Sequence, residues 1–447
     1  VLGSDVEVKP ITPNTRTDRE MIAPLLSTRW DQGSPYNLDC PLDGSKRSVT
    51  GCLATAMAQV IAFYGYPSVG SGSHSYEWKD LILDFDYGQT HFDFDNMLNS
   101  YSGRPSTQNQ KKAVAKLMYA CGVSVDMNYG AKESGARYLF IANALKEYFC
   151  YDAGVSYLLR NYYSKDEWEK IVYEELLAER PVIYGGQSPE GGHAFVCDGY
   201  DEGLFHINWG WGGYCDGWYL LSALNPEGQG TGGHEGGYNS AQNMIIGIQP
   251  NIDGTPSQYP LYASSGLVVS DIIRNSYLTI EFLDGGGVFN YSPLYFNSEC
   301  YLMAVSQDGK ELISDNGINC EFPGFHDDSS WGFIRLRLPL PYLEEGNYKV
   351  YVLFSGPDGQ RYPLRIPYGY KPYIGLKVDA SGKVTASDDD LNDPEYVTKL
   401  EVSQETDVYT ADGILLRHRA DATYISSLAP GLYIIRTSVG TVRMLKR

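Results

Sequence analysis

The chain has 447 residues, 43% of them apolar and 13% aromatic, enough to build two or three domains with real cores. Its 35 Lys and Arg stand against 55 Asp and Glu, a formal charge of −20, so it lacks the basic stripe that nucleic-acid phosphates require and no nucleic-acid partner is expected. No apolar run approaches the ~20 residues needed to cross a bilayer, so no transmembrane segment is expected. No basic-then-apolar leader opens the chain at Val1, which points to a processed form.

Residues 1–250 mix helix and strand signals and read as one α+β domain. Helices are expected over 52–64, 109–121 (capped by Asn109), 137–148 and 164–178. In the last, Ser164 and Glu167 form a capping box. Strands are expected over 181–184, 193–200, 204–209 and 218–222. After the Pro- and Gly-containing linker 250–256 the helical pattern stops. Strands at 277–282, 292–296, 300–306, 333–338 and 348–355, separated by Gly, Asp and Asn turns, suggest an immunoglobulin-like sandwich over 251–385. A Ser-, Asp- and Gly-rich linker at 379–393 then leads to a small all-β unit, 386–447. Its strands fall near 399–402, 407–410, 414–417 and 430–436, with a turn at Asp412-Gly413.

The eight cysteines show no metal-finger spacing and are too sparse for a disulfide scaffold, although Cys300 and Cys320 could pair within the sandwich. Cys52 is different. It opens the helix 52–64, where Thr50 or Gly51 can cap and Gly65 and Pro67 stop the chain. A thiol there faces unpaired backbone N–H groups and the positive end of the helix dipole, both of which favour the thiolate. The plainer alternative is a small buried cysteine that packs a helix end.

A cysteine nucleophile needs a base, an orienter for the base and donors for an oxyanion. His193 follows two glycines, which leave its imidazole accessible, and starts an alternating strand. A three-residue loop, Asp201-Glu202-Gly203, would return the chain so that paired positions sum to about 404 and His193 lies opposite Trp211. That register puts Trp209 and Trp211 on the face of the His193 side chain. Asn208 would reach the imidazole only through a bulge, so the orienter stays open between Asn208 and Trp209. His206, near the turn, reads as structural, and His234, in a Gly-rich loop, as a weaker base. His74, His91, His326 and His418 lack metal-ligand spacing, so neither a metal nor another cofactor is expected. The Cys52 N–H is one oxyanion donor. Gln32, taken alone, is a turn residue that could serve as a second.

The segments Asp31-Gln32-Gly33-Ser34-Pro35-Tyr36-Asn37, Thr50-Gly51-Cys52-Leu53-Ala54-Thr55-Ala56-Met57-Ala58-Gln59, Gly191-Gly192-His193-Ala194-Phe195 and His206-Ile207-Asn208-Trp209-Gly210-Trp211-Gly212-Gly213 resemble, in the same order, those of the streptopain family of secreted cysteine peptidases. The likeness extends over about 20–250. It implies a papain-like fold and endopeptidase activity, with Cys52 as nucleophile, His193 as general base and then acid, Gln32 as oxyanion donor, and Asn208 and Trp209 in the His-supporting segment. It also implies protein or peptide substrates. Val125, Met127, Gly192 and Trp211 would lie near the cleft, with an apolar residue preferred just before the acyl residue. Family members carry a pro-domain that blocks the cleft before maturation; this chain is expected to be a mature, monomeric, secreted or cell-surface bacterial form without it. The run Gly228–Gly237 matches a family loop near the cleft. The tail resembles those of Bacteroidetes relatives that act as sorting domains. Two other readings share the same residues: a surface binding or adhesion protein whose β domains bind a partner, and an acyl transferase using the same Cys-His pair.

Overall fold

The computed structural model describes residues 19–251, 261–273, 276–291, 295–322, 335–356 and 359–387, together with the backbone of four strands between 407 and 446. The centre of the first unit is a six-stranded, wholly antiparallel sheet. Its strands are β1 (Ser156–Leu159), β2 (Val182–Gln187), β3 (Gly192–Asp201), β4 (Leu204–Asn208), β5 (Gly217–Tyr219) and β6 (Ser240–Ile246), in the spatial order β1-β6-β2-β3-β4-β5.

Strand alternation divides the sheet into two faces. Ile183, Ala194, Val196 and Ile245 join one apolar cluster with helices α1 (Cys52–Tyr64), α2 (Gln108–Val123) and α3 (Leu139–Glu147). Val182, Tyr184, Phe195, Cys197 and Met244 join another with α4 (Lys165–Leu177) and with Trp209 and Trp211. The unit is thus α+β, as its sequence indicates.

The expected helices form, with one change of cap. Ser164 and Glu167 make the capping box of α4, but α2 starts at Gln108, and Thr107 caps it in a box with Gln110. Asn109 lies inside the first turn, because the hydroxyl three residues before a Gln satisfies two orphan N–H groups where Asn109 alone would satisfy one. The β3–β4 hairpin also differs from expectation. Its loop is the two residues Glu202 and Gly203, with φ of 46° and 90°, the twist that suits a tight hairpin. Pairs next to the loop therefore sum to 405. A bulge at Asp198 then restores 404 at Cys197–Ile207 and Val196–Asn208. The bulge brings the far end of the hairpin into the expected face assignment, with Trp209 and Trp211 beside His193.

In the second unit, a three-stranded sheet (Leu267–Ile273, Tyr277–Phe282, Arg335–Pro339) and a larger antiparallel sheet built on Phe296–Ser306, Gly346–Ser355 and Ile374–Val378 share one apolar core. Cys300 and Cys320 lie on paired strands within it as free thiols. The only helical segment among the described residues beyond 251 is the short turn Leu283–Gly285. The units touch at 161–163. The Tyr162 hydroxyl donates to the Ala263 carbonyl at 2.9 Å, the Tyr368 N–H donates to the Asn161 carbonyl at 2.8 Å, and the Arg365 guanidinium stands 4.3 Å from the Tyr163 ring centre. The tail strands pair in the order Leu415–Arg417, Asp407–Thr410, Gly431–Thr437, Gly440–Lys446. The expected strand at 399–402, the turn at Asp412-Gly413, most of the first linker and residues 388–393 of the second lie outside the described residues, as do His326 and His418.

Candidate active site

Cys52 is the first residue of α1. The cap residue, Gly51, has φ 87° and offers no side chain to the helix start, and a Cβ there would stand 2.7 Å from the Met127 sulfur. Only glycine fits that conformation and that space, so the first N–H groups of α1 are left for the thiol. Burial pushes the Cys52 thiol above its ordinary range, against the pull of the Ala194, Leu53 and Cys52 N–H groups. The helix-start effect expected from the sequence is therefore present but outweighed.

His193 begins β3 and is fully buried. Its ring is stacked on Trp211, with centres 4.8 Å apart, and is flanked by Tyr238 at 5.2 Å. Nε2 lies 2.9 Å from the Trp209 carbonyl oxygen. A carbonyl only accepts, so Nε2 carries the proton and the neutral ring keeps its lone pair on Nδ1. Nδ1 has no hydrogen-bond partner. Burial brings the imidazole down to about 4, opposed by the Trp209 carbonyl, while His234 lowers it further. In this closed form both thiol and imidazole are held neutral.

Of the two residues expected to support the imidazole, it is Trp209, through its backbone carbonyl, that meets it. Asn208 points elsewhere: its Oδ1 accepts from Gln59 Nε2 at 3.0 Å and from the Gly210 N–H at 3.1 Å, and its Nδ2 donates to the Thr28 carbonyl at 2.8 Å. The Trp209 N–H donates to Asp216 Oδ1 at 2.9 Å. Burial raises the Asp216 carboxyl to about 6 against the pull of that N–H and of His206.

Gln32 is also buried. Its backbone carbonyl accepts the Thr50 N–H at 3.0 Å, which ties it to the entrance of α1. Its side-chain amide donates to the Thr231 carbonyl at 2.5 Å, and the Trp211 indole N–H reaches the same oxygen at 3.2 Å. The Gly-rich run is thus folded over the site. His234 in that run packs against Gly191 and lies 3.7 Å from Glu133.

Val125 and Met127 are core residues, 1% and 0% exposed, and Met127 backs Gly51. Gly192 sits beside the Gln187 amide, and Trp211 lies against the imidazole. His206 pairs with buried Asp198 at 2.6 Å, behind β4. His74 pairs with Asp126. Among the described residues no group of His, Cys, Asp and Glu could hold a metal ion, and no helix is long and apolar enough to cross a membrane. Gln59 and Asp216 went unnoticed in the sequence. A carboxamide inside the stretch Leu53–Ile61, apolar but for Thr55, was the available signal for Gln59.

A buried thiol at a helix start, an imidazole with one nitrogen tied and the other open, and an amide donor tied to the same helix form the working set of a thiol-dependent peptidase. Residues 30–219 match the Peptidase C10 family, and over this stretch the chain is a streptopain-like cysteine-type peptidase. It is 39% identical over 240 residues to streptopain from Streptococcus pyogenes, covering 49% of this chain and 60% of that protein. It is 36% identical over 276 residues to the thiol protease/hemagglutinin PrtT of Porphyromonas gingivalis, covering 57% of this chain and 32% of that protein. Among solved structures it is similar to active wild-type interpain A cysteine protease of Prevotella intermedia, with 37% identity, 53% of this chain and 96% of that chain covered, and a TM-score of 0.47.

Proposed function

We propose that this chain is a secreted bacterial cysteine endopeptidase. Cys52 is the nucleophile and His193 the base and then acid. The Cys52 N–H and the Gln32 amide hold the oxyanion, and the Trp209 carbonyl, rather than the Asn208 amide, fixes the imidazole. The observation that carries the reading is the state of His193, with Nε2 tied to Trp209 and Nδ1 unpartnered, in a chain whose Cys52 thiol sits at the start of α1 beside the Ala194 N–H.

The Thr231 carbonyl occupies the Gln32 amide that an oxyanion would use. Substrate must therefore displace the Gly-rich loop before reaction. Water entering with that displacement relieves the burial that keeps both groups neutral, and the proton passes from Cys52 Sγ to His193 Nδ1. The thiolate attacks the peptide carbonyl, and the imidazolium gives its proton to the leaving amine. Water, deprotonated by His193, then cleaves the thioester and restores the thiol. The Trp209 carbonyl accepts from Nε2 throughout, so the ring stays in the orientation that presents Nδ1.

The wider frame belongs to the same proposal: a papain-like domain over 1–250, an immunoglobulin-like sandwich over 251–385, and a small β tail over 386–447 that serves in sorting. We take the enzyme to act as a monomer on protein substrates, with an apolar residue before the acyl residue, after loss of a pro-domain that blocks the cleft. The family match over residues 30–219 and the names of the relatives support the peptidase reading; the chain spans 60% of the length of the streptopain it matches. Casein cleavage by the wild type beside Cys52→Ala and His193→Ala is the test. Both variants should fold and neither should cleave, and a Cys52→Ala protein that hydrolyses casein at the wild-type rate would sink the assignment.

A further inference from the structure

Gln59 is fully buried and lies on α1 seven residues after Cys52, two turns along the same helix face, about 10 Å down the axis. Its carboxamide ties two other segments of chain to this helix. Oε1 accepts from Thr28 Oγ1 at 3.0 Å and from the Trp30 N–H at 3.2 Å, in the segment that runs on to Gln32. Nε2 donates to Asn208 Oδ1 at 3.0 Å, in the segment that ends β4. Asn208 closes the ring of contacts by donating to the Thr28 carbonyl at 2.8 Å.

The Asn208 oxygen that receives Gln59 also accepts the Gly210 N–H at 3.1 Å. That N–H and the Trp209 carbonyl belong to one peptide group, and the carbonyl is the acceptor for His193 Nε2 at 2.9 Å. A connected set of hydrogen bonds thus runs from Gln59 to Asn208 Oδ1, where the Gly210 N–H converges on the same oxygen, and through the 209–210 peptide to the imidazole, so that the position of each group constrains the next. Gly210 makes this path possible: its φ is 72°, and a Cβ there would stand 3.2 Å from Thr55 on α1.

We infer that Gln59 is a positioning residue, joining the helix that carries Cys52, the segment that carries Gln32 and the peptide that orients His193 into one rigid unit. This deepens the peptidase reading and rests on it. Gln59 satisfies buried polar groups of both segments, and it does so from the same helix that carries Cys52, so the contacts that stabilise the core also fix the three groups of the site relative to one another. Losing the unit should shift the imidazole relative to the thiol, and misplacement of about 1 Å costs on the order of 100-fold in rate.

The test uses the full chain with Gln59→Met, an unbranched apolar side chain of similar length, and Gln59→Glu. Competent sites are counted by iodoacetamide alkylation of Cys52, and kcat and KM are measured on a fluorogenic peptide. Folding is followed by thermal melting. Gln59→Met should lower kcat per alkylatable site at least tenfold with KM changed less than threefold, and should alter the pH dependence of the alkylation rate. Gln59→Glu should recover towards wild type as pH falls, because only the protonated carboxyl can donate to Asn208. A Gln59→Met protein with a lower melting temperature but wild-type kcat per site and an unchanged alkylation profile overturns the inference. Should Gln59→Met not fold, Gln59→Glu decides alone, and a pH profile parallel to the wild type overturns it. Alkylation reads the Cys52–His193 pair without peptide turnover, so failure of the peptidase assignment shows separately, as hydrolysis that survives Cys52→Ala.

Discussion

The two described units solve the same burial problem with different materials. In the sandwich, the buried polar side chains are Ser265, Thr279, Asn290, Ser298 and Ser314, none of them charged or titratable in the ordinary range. In residues 19–251 the buried set includes Gln32, Gln59, Asp152, Glu175, His193, Asp198 and Asn208. Burying such groups is expensive unless each finds a partner. The first unit supplies partners for nearly all of them, and His193 Nδ1 is an exception, at the nitrogen that receives the proton in the proposed mechanism. An unpaired buried nitrogen is a liability in a core and an asset in a catalyst. Among its described residues, the sandwich buries no such titratable polar side chain.

That contrast can be broken in graded ways. Cys52→Ala should have the largest effect, loss of measurable hydrolysis with an unchanged melting curve, checked by casein digestion and calorimetry. Gln32→Ala should lower kcat by roughly 100- to 1000-fold, the usual loss for one oxyanion donor. Steady-state kinetics decide it, and an unimpaired variant would leave Gln32 a turn residue. Leu302→Ala, in the sandwich core where Leu302 is fully buried, should destabilise that unit by about 2–5 kcal/mol while kcat per active site stays at the wild-type value. A fall in kcat per site would mean that the β unit takes part in the chemistry and that the two regions are not separable.

The subtlest test uses pH. The unfolded chain takes up the His193 proton near its ordinary value of 6.5, whereas the folded chain resists it to about 4, so this contribution to stability is lost as pH falls through that window. Asp216 has the opposite sign: its carboxyl goes from 3.8 up to about 6 on folding, so its contribution is lost as pH rises between those values. The two offset each other in the wild type. Asp216→Asn keeps an acceptor for the Trp209 N–H and removes the second titration. From pH 4 to 6 the variant should gain stability relative to the wild type, by at most about 1.4 kcal/mol per pH unit, measured by urea unfolding. Parallel curves would place the Asp216 proton elsewhere.

Local patterns announced a good part of this. The Ala-rich run behind Cys52, the Ser164/Glu167 box and the alternation after His193 each encode an element through contacts within a few residues. Thr107 and Gln110 hold the same three-residue capping spacing as Ser164 and Glu167, so the true start of α2 was legible too. The hairpin lay at the edge of legibility. Its facing was inferable from parity, but a two-residue turn and a bulge at Asp198 replaced a single longer loop, and only the sum of the two matched expectation.

What the sequence alone determined is the set of candidate reacting groups: a cysteine at a helix start, a histidine at a strand start, a glutamine upstream and the motif order that links them. Tertiary structure decided their state and support. Thr231 closes the site and burial holds the pair neutral. Trp209 rather than Asn208 meets the imidazole, and Gln59 joins to its own helix two segments that are 29 and 149 residues from it in sequence. The physical reason is range. Helix caps and strand parity are set by neighbours along the chain, whereas desolvation and hydrogen-bond partnership depend on what packs alongside, which no local pattern records.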